Sequence, residues 1–160
     1  DALIQGINHV RTKYFCIFNA DGSFNPNELK NMYKILDQKS YDLVFASRYE
    51  KNAGSEDDTI VTFIGNKIFS FIGKIFFRLP ISDILYTFVM GDAEKVNKVE
   101  LKNKDFSFCV ELPIKSYRSK LKLSNFASIE RKRIAGKKKV NAIKDGLKIL
   151  FSMIALFFKK

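Results

Sequence analysis

The sequence predicts an α/β fold with a partly parallel sheet, and three observations lead there. An unbroken apolar run, Tyr14-Phe15-Cys16-Ile17-Phe18, stops abruptly in turn residues. A helix led by Pro26 follows it, and a second run from Asp42 to Ser47 completes the unit. Strands buried on both faces read as continuous apolar runs, and strand, helix, strand at this spacing is a βαβ unit. The 160 residues, 46% hydrophobic and 28% charged, suit one domain with its own core and are too few for two of ordinary size.

Taken in order, residues 2–10 read as the end of a helix and residues 14–18 as a buried strand. Asn19-Ala20-Asp21-Gly22-Ser23 is turn chemistry. Asn25 is an N-cap and Pro26 a first helical residue, which opens a helix to about Gln38. Residues 42–47 form a second buried strand. Residues 50–58 form a polar loop, after which Asp58 or Thr59 caps a helix from Ile60 to Phe77. That helix is apolar nearly all round, except for a stripe of Thr62, Asn66, Ser70 and Lys74 at four-residue spacing. Its eighteen residues could just span a bilayer, but Lys67, Lys74 and the stripe argue for a helix lying in the membrane interface or packed in a core. Residues 80–89 read as a connection around Ser82-Asp83. A small helix begins near Gly91-Asp92, and another covers about 107–119. Residues 121–129 make an edge strand, residues 130–140 a basic loop, and residues 141–158 a last helix with an apolar end too short to span. The division expected is 1–140 for the main domain and 141–160 for an apolar, membrane-interfacial helix. The first residues show no signal peptide, and a chain opening in mid-helix without Met is expected to be a fragment lacking its N-terminal part.

Charge is distributed unevenly. Residues 1–114 carry 14 basic against 15 acidic side chains, and residues 115–160 carry 14 against two, within a formal net charge of +11. An anionic partner is implied: nucleic acid, anionic lipid or a phosphorylated substrate. Residues 127–148 contain no Phe, Tyr or Trp, which argues against a nucleic-acid module that stacks bases on aromatic rings. Cys16 and Cys109 lie in apolar stretches and His9 is the sole histidine, so buried thiols in a reducing compartment are expected and zinc chemistry is excluded.

The chemistry-bearing feature is the strand-to-turn junction Phe18-Asn19-Ala20-Asp21-Gly22-Ser23. A parallel strand ending there sets oxygen ligands at the carboxyl edge of the sheet, where α/β proteins bind ligands. Asn19, Asp21 and Ser23 alternate and could converge on one Mg2+ or Mn2+, with water and substrate phosphates completing the shell.

Four segments resemble family-2 glycosyltransferases of the dolichyl-phosphate mannose synthase and polyprenyl-phosphate glycosyltransferase type, in that family's order and spacing. Asn19 to Pro26 is similar to the family's Asp-X-Asp strand end with its Pro-led helix. Asp42 to Tyr49 resembles its strand ending Ser-Arg-Tyr. Ser82 to Phe88 resembles its Asp followed by a Gly-Phe-like turn. Phe106 to Glu111 and Arg133 to Lys139 resemble its Phe-rich segment with an inward Glu and its Arg-X-X-Gly-X-Ser-Lys. The sequence departs from that pattern at Asn19, which replaces the first Asp, at Lys138, which replaces the Ser, and in the Gly missing before Phe88. The family's first strand and nucleotide-base pocket precede the first segment by a stretch absent here.

The resemblance implies a GT-A-like (Rossmann-like) mixed sheet, N-terminally truncated, with amphipathic interfacial helices. It implies transfer of a sugar from a nucleotide sugar to a polyprenyl (dolichyl or undecaprenyl) phosphate, on the cytoplasmic face of a membrane. Asp21, Asn19 and Ser23 would hold Mg2+ or Mn2+ on the leaving diphosphate. Arg48, Arg133 and Lys139 would clamp donor and acceptor phosphates. Asp83 would orient a sugar hydroxyl, the metal shell or the acceptor, and Glu111 would touch substrate. The alternatives are a basic nucleic-acid-binding module and a degenerate transferase that keeps only membrane docking.

Overall fold

Three strands that run the same way, with a fourth running against them, make the sheet of the computed structural model, which describes residues 2–135 and 141–159. The chain passes through α1 (Ala2–Asn8), β1 (Tyr14–Ile17), a 3-10 turn at Pro26–Glu28, α2 (Leu29–Lys39), β2 (Leu43–Ser47), β3 (Gly54–Ser55) and α3 (Ile60–Phe77). It continues through β4 (Val89–Asp92), α4 (Ala93–Asn97), α5 (Phe108–Arg118), β5 (Leu123–Ala127), β6 (Ile129–Glu130) and α6 (Ala142–Phe158). Asn25 caps the Pro26 turn by accepting from the Asn27 amide, and Asn141 caps α6 by accepting from the amides of Ile143 and Lys144.

The order in the sheet is β1-β4-β2-β5. The βαβ unit is present, but its two strands are not neighbours: β4 lies between them, antiparallel to both, and the direct parallel pair is β2 with β5. The sequence pattern hides β4, because residues 80–89 read as a connection and Gly91-Asp92 as the start of a small helix, and it hides the short β3, which lies in the stretch 50–58 read as a polar loop. Gly91 fits the crowded middle of the sheet, because a Cβ there would come within 3.1 Å of both Phe15 and Leu43 side chains. The stretch 121–129 divides in two: β5 forms a sheet edge as expected, and β6 leaves to pair in parallel with β3.

Side chains alternate across the sheet and build two cores. Val44, Ala46, Phe88 and Met90 face α2, where Met32 and Leu36 are buried. Phe15, Ile17, Leu43, Phe45, Val89 and Leu123 face the other layer, which α5 fills from Phe108 to Ile114. Ile149, Met153 and Leu156 of α6 belong to this second core, so the last helix packs on the domain along one side.

α3 is turned inside out relative to a helix of a water-soluble surface. Three residues of its polar stripe face the protein, Lys74 staying exposed: the Ser70 hydroxyl accepts from the Ile84 amide, and Thr62 and Asn66 both donate to Asp58. Ile60, Val61, Ile64, Ile68, Phe71, Ile75 and Phe76 are exposed, and only Ser70 and Gly73 are buried. By length and composition α3 is the one described helix apolar enough to cross a membrane.

Candidate functional site

Because β1, β2 and β5 point the same way, their carboxyl ends meet at one edge, and the chain leaving each brings its polar residues there. Asp21 leaves β1, Arg48 and Tyr49 leave β2, and Glu130 and Arg133 follow β5. The loop into β4 adds Asp83 and Tyr86 to the same edge.

Asp21 sits on a tight turn. Its Oδ1 accepts from the Ser23 amide at 3.0 Å and from the Ser23 hydroxyl at 2.6 Å, while Oδ2 lies 3.5 Å from NH1 of Arg133. Partial burial acts to raise its pKa, but the Ser23 hydrogen bonds and the Arg133 charge outweigh it and hold the carboxyl below its ordinary range. Ser23, expected as a ligand, is buried with its hydroxyl on Asp21, so it positions the carboxylate instead. Gly22 adopts φ +85°, and the Ile134 side chain rests over it, 2.6 Å from where a Cβ would stand.

Arg48 is the hub of a buried ion network. Its Nε and NH2 grip Asp83 bidentately at 2.7 and 3.1 Å, and NH1 reaches Glu130 at 3.1 Å and Asp58 at 3.6 Å. The Tyr86 ring lies 4.7 Å from the guanidinium carbon. Burial opposes its charge, but the carboxylates, Asp83 foremost, raise its pKa well above the ordinary value. Burial likewise pushes the Tyr49 and Tyr86 phenols up, so both stay protonated at neutral pH. This corrects two expectations. Arg48 is committed to carboxylates rather than held open as a phosphate clamp. Asp83 is fully buried with both oxygens on Arg48, so no oxygen of it is left facing a substrate.

Arg133 stays at the surface of the edge, about a quarter exposed, with Nε 3.4 Å from Asp57 and NH1 toward Asp21. Its segment is strapped down by backbone bonds from Arg131 to Ser23 O at 3.0 Å and from Ile134 to Asp21 O at 2.8 Å. The Lys132 amide also donates to Glu56. Arg133, Asn19, Arg48 and Tyr86 line a cleft of about 170 Å³, to whose lining Thr62 and Asn66 of α3 and Asp145 of α6 also contribute. A separate apolar groove of about 250 Å³ lies between the same two helices, lined by Ile72, Phe76, Phe77, Met153, Ile154 and Phe157.

Glu111 is not part of this site. It is buried in α5, accepts from the amides of Lys102 and Asn103 and pairs with Lys115 at 2.7 Å, and so pins the loop before its own helix. Lys139, with residues 136–138, lies outside the described residues. The sequence reading missed Glu130, Asp57 and Asp58. The acidic turn Glu56-Asp57-Asp58 read as a solvated loop with a helix cap. In the structure Thr59 caps α3 in a capping box with Thr62, and Asp58 turns to Arg48 instead.

Among the described residues no group of three or more His, Cys, Asp or Glu is arranged to hold a metal ion. Asp21 offers one ionised carboxylate beside Asn19. That donor set fits a magnesium-like cation which arrives with its diphosphate, since such ions keep water and phosphate oxygens and take one or two protein carboxylates.

The arrangement, a mixed sheet with an acidic turn and basic residues at its carboxyl edge, is that of the GT-A glycosyltransferases. Solved structures agree on the fold. Glucosyl-3-phosphoglycerate synthase from Mycobacterium tuberculosis, in complex with Mn2+, UDP and phosphoglyceric acid, superposes with a TM-score of 0.71 at 9% identity, covering 98% of this chain and 53% of that one. Its complex with Mn2+, UDP-glucose and phosphoglyceric acid gives 0.71 at 10% identity, with 98% and 54% covered. This chain thus spans about half the length of those proteins. The family profile described as glycosyl transferase family 2 matches residues 1–100, and the chain belongs to that family.

Proposed function

We propose that this chain provides the metal–diphosphate and acceptor side of a site that moves a sugar from a nucleotide sugar to a polyprenyl phosphate. The work would be done on the cytoplasmic face of a membrane. One observation supports the reading: a polar cleft lined by Arg133 and a separate apolar groove both lie along the seam between α3 and α6. A ligand with an anionic head and an apolar chain matches both halves of that seam.

In the reaction, an oxygen of the acceptor phosphate bonds to the anomeric carbon as the bond from that carbon to the donor's β-phosphate oxygen breaks, and a nucleoside diphosphate leaves. A lipid phosphate has a second pKa of about 6 and is already anionic at neutral pH, so the protein need not supply a strong base. Its task is electrostatic. Asp21, with Asn19, would hold Mg2+ or Mn2+, which neutralises charge on the leaving diphosphate when bound. Ser23 keeps Asp21 oriented, and Arg133 contributes a planar fork for phosphate. Arg48, Asp83, Glu130 and Asp58 form the rigid wall behind them.

Transfer from radiolabelled nucleotide sugars by the full-length protein tests this, with undecaprenyl phosphate in vesicles and 3-phosphoglycerate in solution as rival acceptors. Label in the lipid phase, lost in Asp21→Ala, is the expected result. Label on the soluble acid alone overturns the lipid acceptor, and full turnover by Asp21→Ala overturns the metal assignment.

A further inference from the structure

Arg133 is placed as an arginine waiting in open solvent for phosphate would not be. With Oδ1 of Asp21 taken up by Ser23, Oδ2 is the side left for a cation, and NH1 of Arg133 already faces it at 3.5 Å. The same guanidinium turns Nε to Asp57 at 3.4 Å. The strap beneath holds independently of either pair, through the Arg131 and Ile134 amides and the seat of Ile134 on Gly22. The guanidinium can therefore change partner without the segment unfolding.

We propose that Arg133 is the resident counter-ion of Asp21 and exchanges that carboxylate for the donor's diphosphate as a divalent cation is taken up, with Asp57 keeping the guanidinium within reach in both states. The inference rests on the reading of Asp21 as a metal ligand. Electrostatics dictates the exchange. Asp21, Asp57 and Arg133 together carry one negative charge. Once a divalent ion is added, the group carries one positive charge and becomes a receptor for an anion. Arg133 competes with a cation that comes alone, because two positive groups cannot share one carboxylate oxygen without repulsion. It favours the same cation when a diphosphate accompanies it, because the guanidinium then has a stronger anion to hold. One side chain thus makes metal and diphosphate bind together rather than singly, which keeps the site from filling with metal when no donor is present.

The signature is a pair of effects with opposite signs. Calorimetric titrations of the full-length protein with MnCl2 alone and with premixed Mn2+–pyrophosphate measure both, pyrophosphate carrying the diphosphate without a base. Arg133→Gln is expected to bind Mn2+ alone about fivefold more tightly than wild type, at the low end of ordinary coupling between sites. It should bind Mn2+–pyrophosphate more weakly. Asp57→Asn should weaken only the second, and Asp57→Glu should restore it. Circular dichroism checks that each variant is folded. If Arg133→Gln binds Mn2+ alone no better than wild type, the exchange is wrong and Arg133 is an ordinary phosphate ligand. If Asp21→Asn leaves both titrations unchanged, or wild type takes up neither probe, the metal assignment itself falls and the exchange with it.

Discussion

Arg48 shows how a residue's role depends on what surrounds it. Three carboxylates converge on a guanidinium that is almost wholly buried, so removing it leaves their charges unpaired and largely buried. Breaking a buried pair in this way costs about 3–5 kcal/mol. For a chain of this size Arg48→Ala should lower the melting temperature by about 10 °C. Arg48→Lys keeps the charge but loses the fork on Asp83, and should fall between. Melting curves matching wild type for both variants would show that the network contributes nothing to stability. Cys16 permits a pH prediction. Burial raises its thiol from an ordinary 9.0 to about 12, and burial pushes Cys109 up as well. Above pH 9 the unfolded chain releases thiol protons that the folded chain retains, so the unfolded state binds fewer protons and stability falls as pH rises. Urea midpoints should therefore decline from pH 8.5 to 10.5, and less steeply in Cys16→Ala once its own loss of stability is subtracted.

At the level of elements, the strap over the Asp21 turn and the inverted helix α3 carry the consequences. Gly22 allows both a positive φ and the contact with Ile134. Gly22→Ala strains the turn and pushes Ile134 off its seat, so the segment from Arg131 to Arg133 should lift away. Trypsin is expected to cut there several-fold faster than in wild type, before any global unfolding, because local opening exposes the cleavage sites. Equal digestion rates would show that the strap does not depend on the glycine. α3 demonstrates that a polar stripe on an apolar helix can face the protein. Ser70 and Thr62 answer buried partners, whereas Ile68 and Phe71 meet no core.

Over the whole molecule, α3 and α6 both expose apolar side chains and meet where Phe76 and Phe77 touch Phe157 edge to face. Exposed apolar helix faces together with basic residues are what the proposed docking to anionic lipid requires. Cosedimentation with anionic vesicles is expected, weakened but not abolished in 1 M salt, where the Debye length is about 3 Å and only the apolar contribution persists. Ile68→Glu with Phe151→Glu should abolish the salt-resistant part and leave the melting temperature unchanged, since both side chains are exposed. Removing the end of α6 outright is a poorer test, because Ile149, Met153 and Leu156 belong to the core and their loss would damage the fold. A protein that stays in the supernatant at low salt would overturn the interfacial reading.

The sequence by itself determined what local chemistry can determine. The apolar runs at Tyr14 and Leu43, the Asn25-Pro26 start, the last helix and the span of α3 were all legible, because burial, capping and helical period are written within a few neighbouring residues. The candidate turn at Asp21 was legible for the same reason. The tertiary structure alone decided that β4 lies between β1 and β2, that α3 turns most of its polar stripe inward, and that Arg48 belongs to Asp83 and Glu130, 35 and 82 residues away. It also gave Glu111 to the loop before α5 instead of to the site. The physical reason is the same in each case. Charges and strand edges are satisfied by whichever groups the sheet's topology brings within a few ångströms, and that choice depends on distant parts of the chain that no local pattern encodes.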